Sequence, residues 1–81
     1  MMNCKVFDTD AAQCRRLEEL ILNVADSMDL PVQVMHVTDA SDIAKWQIKQ
    51  LPALVINEHL VFAGRIPLDE EVAQILLTQP A

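Results

Sequence analysis

The residues of this chain best suited to covalent chemistry are its two cysteines, Cys4 and Cys14. Two cysteines separated by two residues at the start of a helix can exchange disulfides, because the first attacks and the second releases the mixed disulfide. Here the segment reads Ala11-Ala12-Gln13-Cys14, so the second cysteine is present and alanine stands in place of the first. The sequence therefore contains half of a redox motif.

The ionisation of Cys14 depends on charges of both signs nearby. The residue falls in the first turn of a predicted helix, where the helix dipole favours a thiolate. Asp8 and Asp10 oppose the thiolate, and Arg15 and Arg16 partly compensate for them. We predict a half-buried thiol that no longer catalyses, with single-thiol chemistry and regulatory oxidation as the alternatives.

The other potential ligands and thiols favour structural roles. Cys4 lies in the middle of a predicted strand, where it should be buried as a small hydrophobic residue. It also lies several residues back from the carboxyl end of the strand, where the site with Cys14 should be, which disfavours a disulfide between the two cysteines. Neither His36 nor His59 has a partner at metal-ligand spacing, and no glycine-rich phosphate loop is present. We therefore expect no metal and no cofactor.

Composition restricts the function classes. The chain has 81 residues, is 52% hydrophobic and carries a formal net charge of -6, so we predict one domain over residues 1–81. An acidic surface disfavours nucleic acid and anionic membranes as partners. The sequence has neither an apolar run long enough to span a bilayer nor a recognisable leader, so we predict a cytoplasmic protein.

Apolar periodicity predicts seven elements in the order βαβαββα. The strongest pattern is a helix with apolar side chains at helical spacing. A strand, a helix and a strand form a right-handed crossover, and the later hairpin adds antiparallel strands. We therefore predict an α/β fold with a four-stranded mixed sheet and helices on both faces. The predicted elements are strand Asn3–Phe7, helix Ala11–Asp29, strand Val32–Val37, a short helix ending near Trp46, strands Ala53–Ile56 and Leu60–Ala63, and a helix beginning at Pro67.

Four segments carry a family resemblance that covers nearly the whole chain. They are Cys14-Arg15-Arg16-Leu17-Glu18-Glu19, Val37-Thr38-Asp39, Leu51-Pro52-Ala53-Leu54-Val55-Ile56-Asn57 and Ala63-Gly64-Arg65-Ile66-Pro67. With the element order, they resemble the small thioredoxin-like, glutaredoxin-sized redox-active disulfide proteins of archaea and bacteria. The resemblance implies a thioredoxin-like fold in which Pro52 is cis and faces the cysteine motif. It also implies that Leu51 offers backbone groups to an extended peptide.

The sequence departs from the family pattern in three places, of which the first two bear on redox catalysis and on the electrostatics of the site. Ala11 occupies the position of the attacking cysteine, and Asp8 and Asp10 stand where small residues such as glycine are common. Glu58 replaces a usual hairpin glycine, which mainly affects a turn. A cysteine in place of Ala11 would make an oxidoreductase the leading interpretation.

Three functions remain open from the sequence. The first is a redox-impaired domain that binds a protein or a low-molecular-weight thiol around Cys14, as a monomer or weak homodimer. The second is a thiol-disulfide oxidoreductase in cell redox homeostasis that uses Cys14 alone. If the protein is an enzyme, this is the class we expect. The third is a structural or oligomerising module that pairs through a sheet edge or the Cys14 face. The binding residues would be Asp10, Ala11, Gln13, Leu51 and Pro52. Trp46 should pack in the core, or else form a wall of the groove beside Pro52.

Overall fold

The computed structural model describes residues 1–79 and contains four strands and three helices in the predicted order. No helix in this part of the chain is long and apolar enough to cross a membrane. The elements are β1 (Met2–Phe7), α1 (Ala11–Ser27), β2 (Val32–Val37), α2 (Ala40–Lys45), β3 (Ala53–Ile56), β4 (His59–Ala63) and α3 (Asp69–Thr78).

The four strands form one mixed sheet in the order β2-β1-β3-β4. Strand β1 pairs in parallel with β2 and antiparallel with β3, and β3 pairs antiparallel with β4. The β1–β2 ladder is regular over all six pairs, from Met2 opposite Val32 to Phe7 opposite Val37. The β3–β4 ladder shifts register between Leu54 and Val55. Strands β2 and β4 are therefore the two edges of the sheet.

The main core lies between one face of the sheet and helices α1 and α3. It forms because strand residues alternate between faces while α1 presents an apolar stripe at helical spacing. All its members are at least nine-tenths shielded from solvent. They are Cys4, Val6, Cys14, Leu17, Ile21, Val24, Ala25, Leu54, Ile56, Val72 and Leu76.

A smaller core covers the opposite face of the sheet, beneath α2 and the segment after it. Phe7, Ile43, Ile48, Ala53 and Val55 are its buried members. Helix α2 is short and covers only part of this face. The parts of β2 and β4 that lie farther from α2 therefore keep exposed apolar side chains. Met35 and Leu60 are each 54% exposed.

Element ends differ from the predicted ones by one or two residues, for local reasons. Helix α1 ends at Ser27 because Asp29 takes a positive φ of 57°, which no helix can continue. Strand β4 begins at His59, so the hairpin loop has two residues, Asn57 and Glu58, with φ of 48° and 71°. Two positive φ values define the type I′ turn that matches strand twist. Glu58 adopts this turn despite its side chain, which lies 3.2 Å from the Lys5 ammonium.

Helix α3 begins with a turn of acidic residues, one of which makes specific hydrogen bonds to the preceding loop. Glu71 receives two hydrogen bonds from the Arg65 guanidinium, both 2.8 Å, and a 2.9 Å bond from the backbone N–H of Leu68. These bonds stabilise the carboxylate and lower the pKa of Glu71 to about 2. The side chain therefore satisfies a free amide at the helix start and attaches the loop before α3 to the helix.

Candidate functional site

Two aspartates shape the turn between β1 and α1. The Asp8 carboxylate, 8% exposed, accepts a 2.9 Å hydrogen bond from the backbone N–H of Asp10. Asp10 is the N-cap of α1, and its carboxylate accepts a 2.9 Å bond from the N–H of Ala12. These bonds satisfy amides at the helix start that have no partner within the helix. Ala11 is thereby fixed as the first residue of α1, with its methyl group exposed.

A second loop reaches the same end of the sheet from β3. The Leu51–Pro52 peptide bond is cis, and Pro52 is buried while its carbonyl accepts a 2.9 Å bond from the N–H of Gly64. Gly64 has a φ of +105°, a conformation that side chains disfavour. An added Cβ there would lie 2.9 Å from the side-chain oxygen of Gln50, an exposed side chain that can move away, so the backbone conformation and not space is what favours glycine.

Strand register brings the two loops together. In the antiparallel β1–β3 ladder, Phe7 is the partner of Ala53. The next step of the ladder leaves β1 at Asp8 and enters Pro52, so the turn before α1 and the proline loop are neighbours at one end of the sheet. The fold thus places the predicted site residues Asp10, Ala11 and Pro52 in one region.

Cys14 points from α1 into the main core. It is 0% exposed, and its thiol approaches the carbonyl oxygens of Val6 at 3.7 Å and Asp8 at 3.5 Å. Burial raises the pKa of Cys14, and the charges of Asp8 and Asp10 raise it further, against a smaller lowering by a hydrogen bond with the Asp8 backbone. The thiol is therefore fully buried rather than half-buried. The expected help from the helix dipole does not overcome burial and the two carboxylates.

Cys4 is also a packed thiol. It lies on β1 opposite Ile56, is 1% exposed, and burial raises its pKa to about 11. Both cysteines are free. Cys4 therefore behaves as the small hydrophobic core residue that its position in the strand predicts.

Leu51 and Trp46 lie between the site and the smaller core. Both are half-buried and pack against the cluster that contains Phe7. The Phe7 and Trp46 rings meet edge to face, with centroids 5.5 Å apart and planes at 64°. The Lys5 ammonium lies 4.7 Å from the centre of the Trp46 ring. Trp46 therefore belongs to this smaller core while keeping part of its surface in solvent.

The sequence offers Asp8, Thr9 and Asp10 as candidate N-caps of α1, and the structure assigns that role to Asp10, while Asp8 is also a charge near the thiol. In the structure it also builds the turn, because its side chain fixes the backbone of Asp10. The pattern Asp-Thr-Asp before a helix was the available clue, since aspartate side chains commonly bond an amide two residues on. Gln13 is half-buried in the first turn of α1. Within residues 1–79, no cluster of three or more His, Cys, Asp or Glu side chains could hold a metal ion.

The sheet order, the helices on both faces and the proline loop beside the start of α1 define a thioredoxin-like α/β domain. The family model described as "Thioredoxin domain" matches residues 2–77, so the chain belongs to the thioredoxin domain family. A curated relative named "Thioredoxin", from Methanocaldococcus jannaschii, is 26% identical over 76 residues, which cover 94% of this chain and 87% of that protein. The chain is thus a thioredoxin-like domain related to thiol-disulfide oxidoreductases.

Proposed function

We propose that this domain binds an extended protein segment beside Leu51 and Pro52 and does not itself turn over disulfides. One observation carries the proposal. Cys14, the single thiol of the motif, is fully buried with a raised pKa, and the exposed position of the attacking cysteine is occupied by Ala11. Disulfide exchange needs an accessible thiolate to attack. A buried neutral thiol behind Ala11 does not meet that requirement.

Backbone groups at the proline loop support the binding part of the proposal. Leu51 lies between α2 and β3, and within residues 1–79 its N–H and C=O form no hydrogen bond to another backbone group. Free backbone groups next to a half-buried apolar side chain suit an extended peptide, which pairs through its main chain. Asp10, Ala11 and Gln13 would form the facing side of the groove.

Charge supports a protein partner over other classes. The net charge of -6 opposes approach to phosphate backbones and anionic lipid surfaces. We further propose that the domain works in the cytoplasm, where thiols stay reduced, because both of its cysteines are free.

The second candidate is a monothiol oxidoreductase that uses Cys14, and the relative named "Thioredoxin" favours it. It requires transient exposure of Cys14, so that its thiolate could attack one sulfur of a disulfide, break the S–S bond, release the other sulfur as a thiolate and leave a mixed disulfide. An external thiol would then attack that mixed disulfide, releasing Cys14. The formation of a mixed disulfide on Cys14 of the folded protein therefore distinguishes the two candidates.

The test uses a thiol-free extended chain as the probe, namely reduced and carboxymethylated ribonuclease. We expect the probe to shift the backbone amide resonances of residues 10–14, 50, 51 and 53 in a ¹⁵N-labelled sample. Cys14→Ser should bind within about twofold of the wild-type affinity, because the thiol makes no contact with the segment. The readout is the dissociation constant from the titration of both proteins.

A parallel incubation with glutathione disulfide, followed by mass measurement, supplies the control. We expect no glutathionyl adduct on the folded protein. A stoichiometric adduct at Cys14 would support the monothiol candidate instead. Shifts confined to other parts of the molecule would contradict the assigned binding site.

A further inference from the structure

One edge of the sheet lacks the features with which proteins usually prevent strand pairing. Edge strands expose unpaired backbone groups, and they are commonly protected by charged side chains, prolines, bulges or short length. Strand β2 is a sheet edge of six residues, Val-Gln-Val-Met-His-Val, with no Lys, Arg, Asp, Glu or Pro. Its ladder to β1 is regular throughout, so no bulge interrupts this edge.

The other edge, β4, differs in two of these respects. It has five residues, and the β3–β4 register shifts near its middle, which twists the strand. The asymmetry between the edges points to β2 as the surface open to pairing.

Exposed apolar side chains flank β2 on both faces of the sheet. On the α2 face, Met35 is 54% exposed. On the α1 face, Glu18 contacts His36 at 3.0 Å, which shows that this stripe of α1 lies above β2. Leu22 is one turn further along the same stripe, about 6 Å away, and is 42% exposed. Leu22 and Met35 thus flank the β2 edge on opposite sides.

We propose that β2 pairs antiparallel with β2 of a second copy of this chain, forming a weak homodimer with a continuous eight-stranded sheet. Charge favours a second copy at this edge. Two molecules with a net charge of -6 repel each other, and an edge with no carboxylate of its own lets them approach with the least repulsion. Two carboxylates lie beside β2 and both have partners. Glu18 is hydrogen-bonded to His36, and Glu58, which shares a surface pocket with Gln33 and Met35, is paired with Lys5.

Strand geometry restricts the register of such a dimer. Opposite residues of an antiparallel pair share a face, so a two-fold axis normal to the sheet must pass through a residue position. An axis at Met35 places Val34 opposite His36 and Gln33 opposite Val37 of the other molecule. It also packs the two Met35 side chains against each other, which removes the most exposed apolar group of β2 from water.

The test is sedimentation equilibrium of the wild type, Met35→Lys and Leu60→Lys. Leu60 is the matched control, because it has the same 54% exposure and lies on β4, the other edge. We expect a reversible monomer–dimer equilibrium for the wild type, tighter at high salt because like charges are screened. Met35→Lys should weaken dimerisation at least about tenfold, because each dimer loses two buried methionines and gains two close ammonium groups. Leu60→Lys should leave the dissociation constant unchanged.

Amide hydrogen exchange on the same samples gives a readout that does not depend on the variants. The amides of Val34 and His36, which point away from β1, should become better protected as the wild-type concentration rises. A wild type that remains monomeric up to about 1 mM, the range of weak association, would overturn the proposal. Dimerisation lost in Leu60→Lys and kept in Met35→Lys would also overturn it.

Discussion

Ala11→Cys should convert this domain into a working dithiol oxidoreductase. The introduced thiol would occupy the exposed first position of α1, where the helix dipole favours the thiolate against the Asp10 carboxylate and no burial opposes it. Unlike the buried Cys14 thiol, it would be accessible to an incoming disulfide. We therefore expect reduction of insulin by dithiothreitol to run at least about tenfold faster with the variant than with the wild type.

The variant would reduce a disulfide with two thiols, the introduced one and Cys14. The introduced thiolate attacks a substrate sulfur, and one substrate thiolate leaves. The Cys14 thiol, once deprotonated, then attacks the mixed disulfide and releases the second substrate thiol, which leaves the domain oxidised for reduction by dithiothreitol. Ala12→Cys is the matched control, because it adds an exposed thiol to the same turn without the two-residue spacing. Equal activity of the two variants would contradict the role assigned to position 11.

Phe7→Ala should be the most damaging single substitution near the site. Phe7 is 0% exposed, belongs to the small core under α2 and meets the Trp46 ring edge to face. Truncation of a fully buried Phe costs about 3–5 kcal/mol. A chain of this length has a free energy of unfolding of about 4–12 kcal/mol. We therefore expect a loss of a large part of the total stability in urea titrations followed by far-ultraviolet circular dichroism.

Phe62→Ala provides the comparison for Phe7, since it removes the same ring from a half-buried position on β4. Its cost should be less than half as large. If Phe7→Ala does not fold, Phe7→Leu keeps most of the volume and should cost under about 2 kcal/mol. Equal costs for Phe7→Ala and Phe62→Ala would show that the core under α2 does not stabilise the domain as described.

The fold was largely predictable because its local patterns agree with one another. The stripe of apolar residues through Leu17 and Ile21 can face only one layer, and the β-branched run after Pro31 can hardly form anything but a strand. The errors fall at element ends. Asp29 and Glu58 adopt positive φ, which few residues other than glycine and asparagine favour, so sequence patterns gave no strong indication of either.

The site was predictable in its location but not in its electrostatics. The spacing of Ala11 and Cys14 and the segment around Pro52 indicated where the loops would meet. The depth of Cys14 could not be read from the sequence, because first-turn residues can face either the core or solvent. The pairing of Glu71 with Arg65 was likewise hidden, since only the folded loop brings the two side chains together.

The most direct test of the claim that Cys14 is a packed, unreactive thiol is the pH dependence of its alkylation by iodoacetamide in Cys4→Ala, where Cys14 is the sole thiol. Because burial and two carboxylates raise the pKa of Cys14, the reactive thiolate should appear only above the ordinary value of about 8.5. We expect labelling to be negligible at pH 7 in the folded protein and to become rapid in denaturant. Rapid labelling of the folded protein with a midpoint well below 8.5 would contradict a packed, unreactive thiol and favour monothiol chemistry.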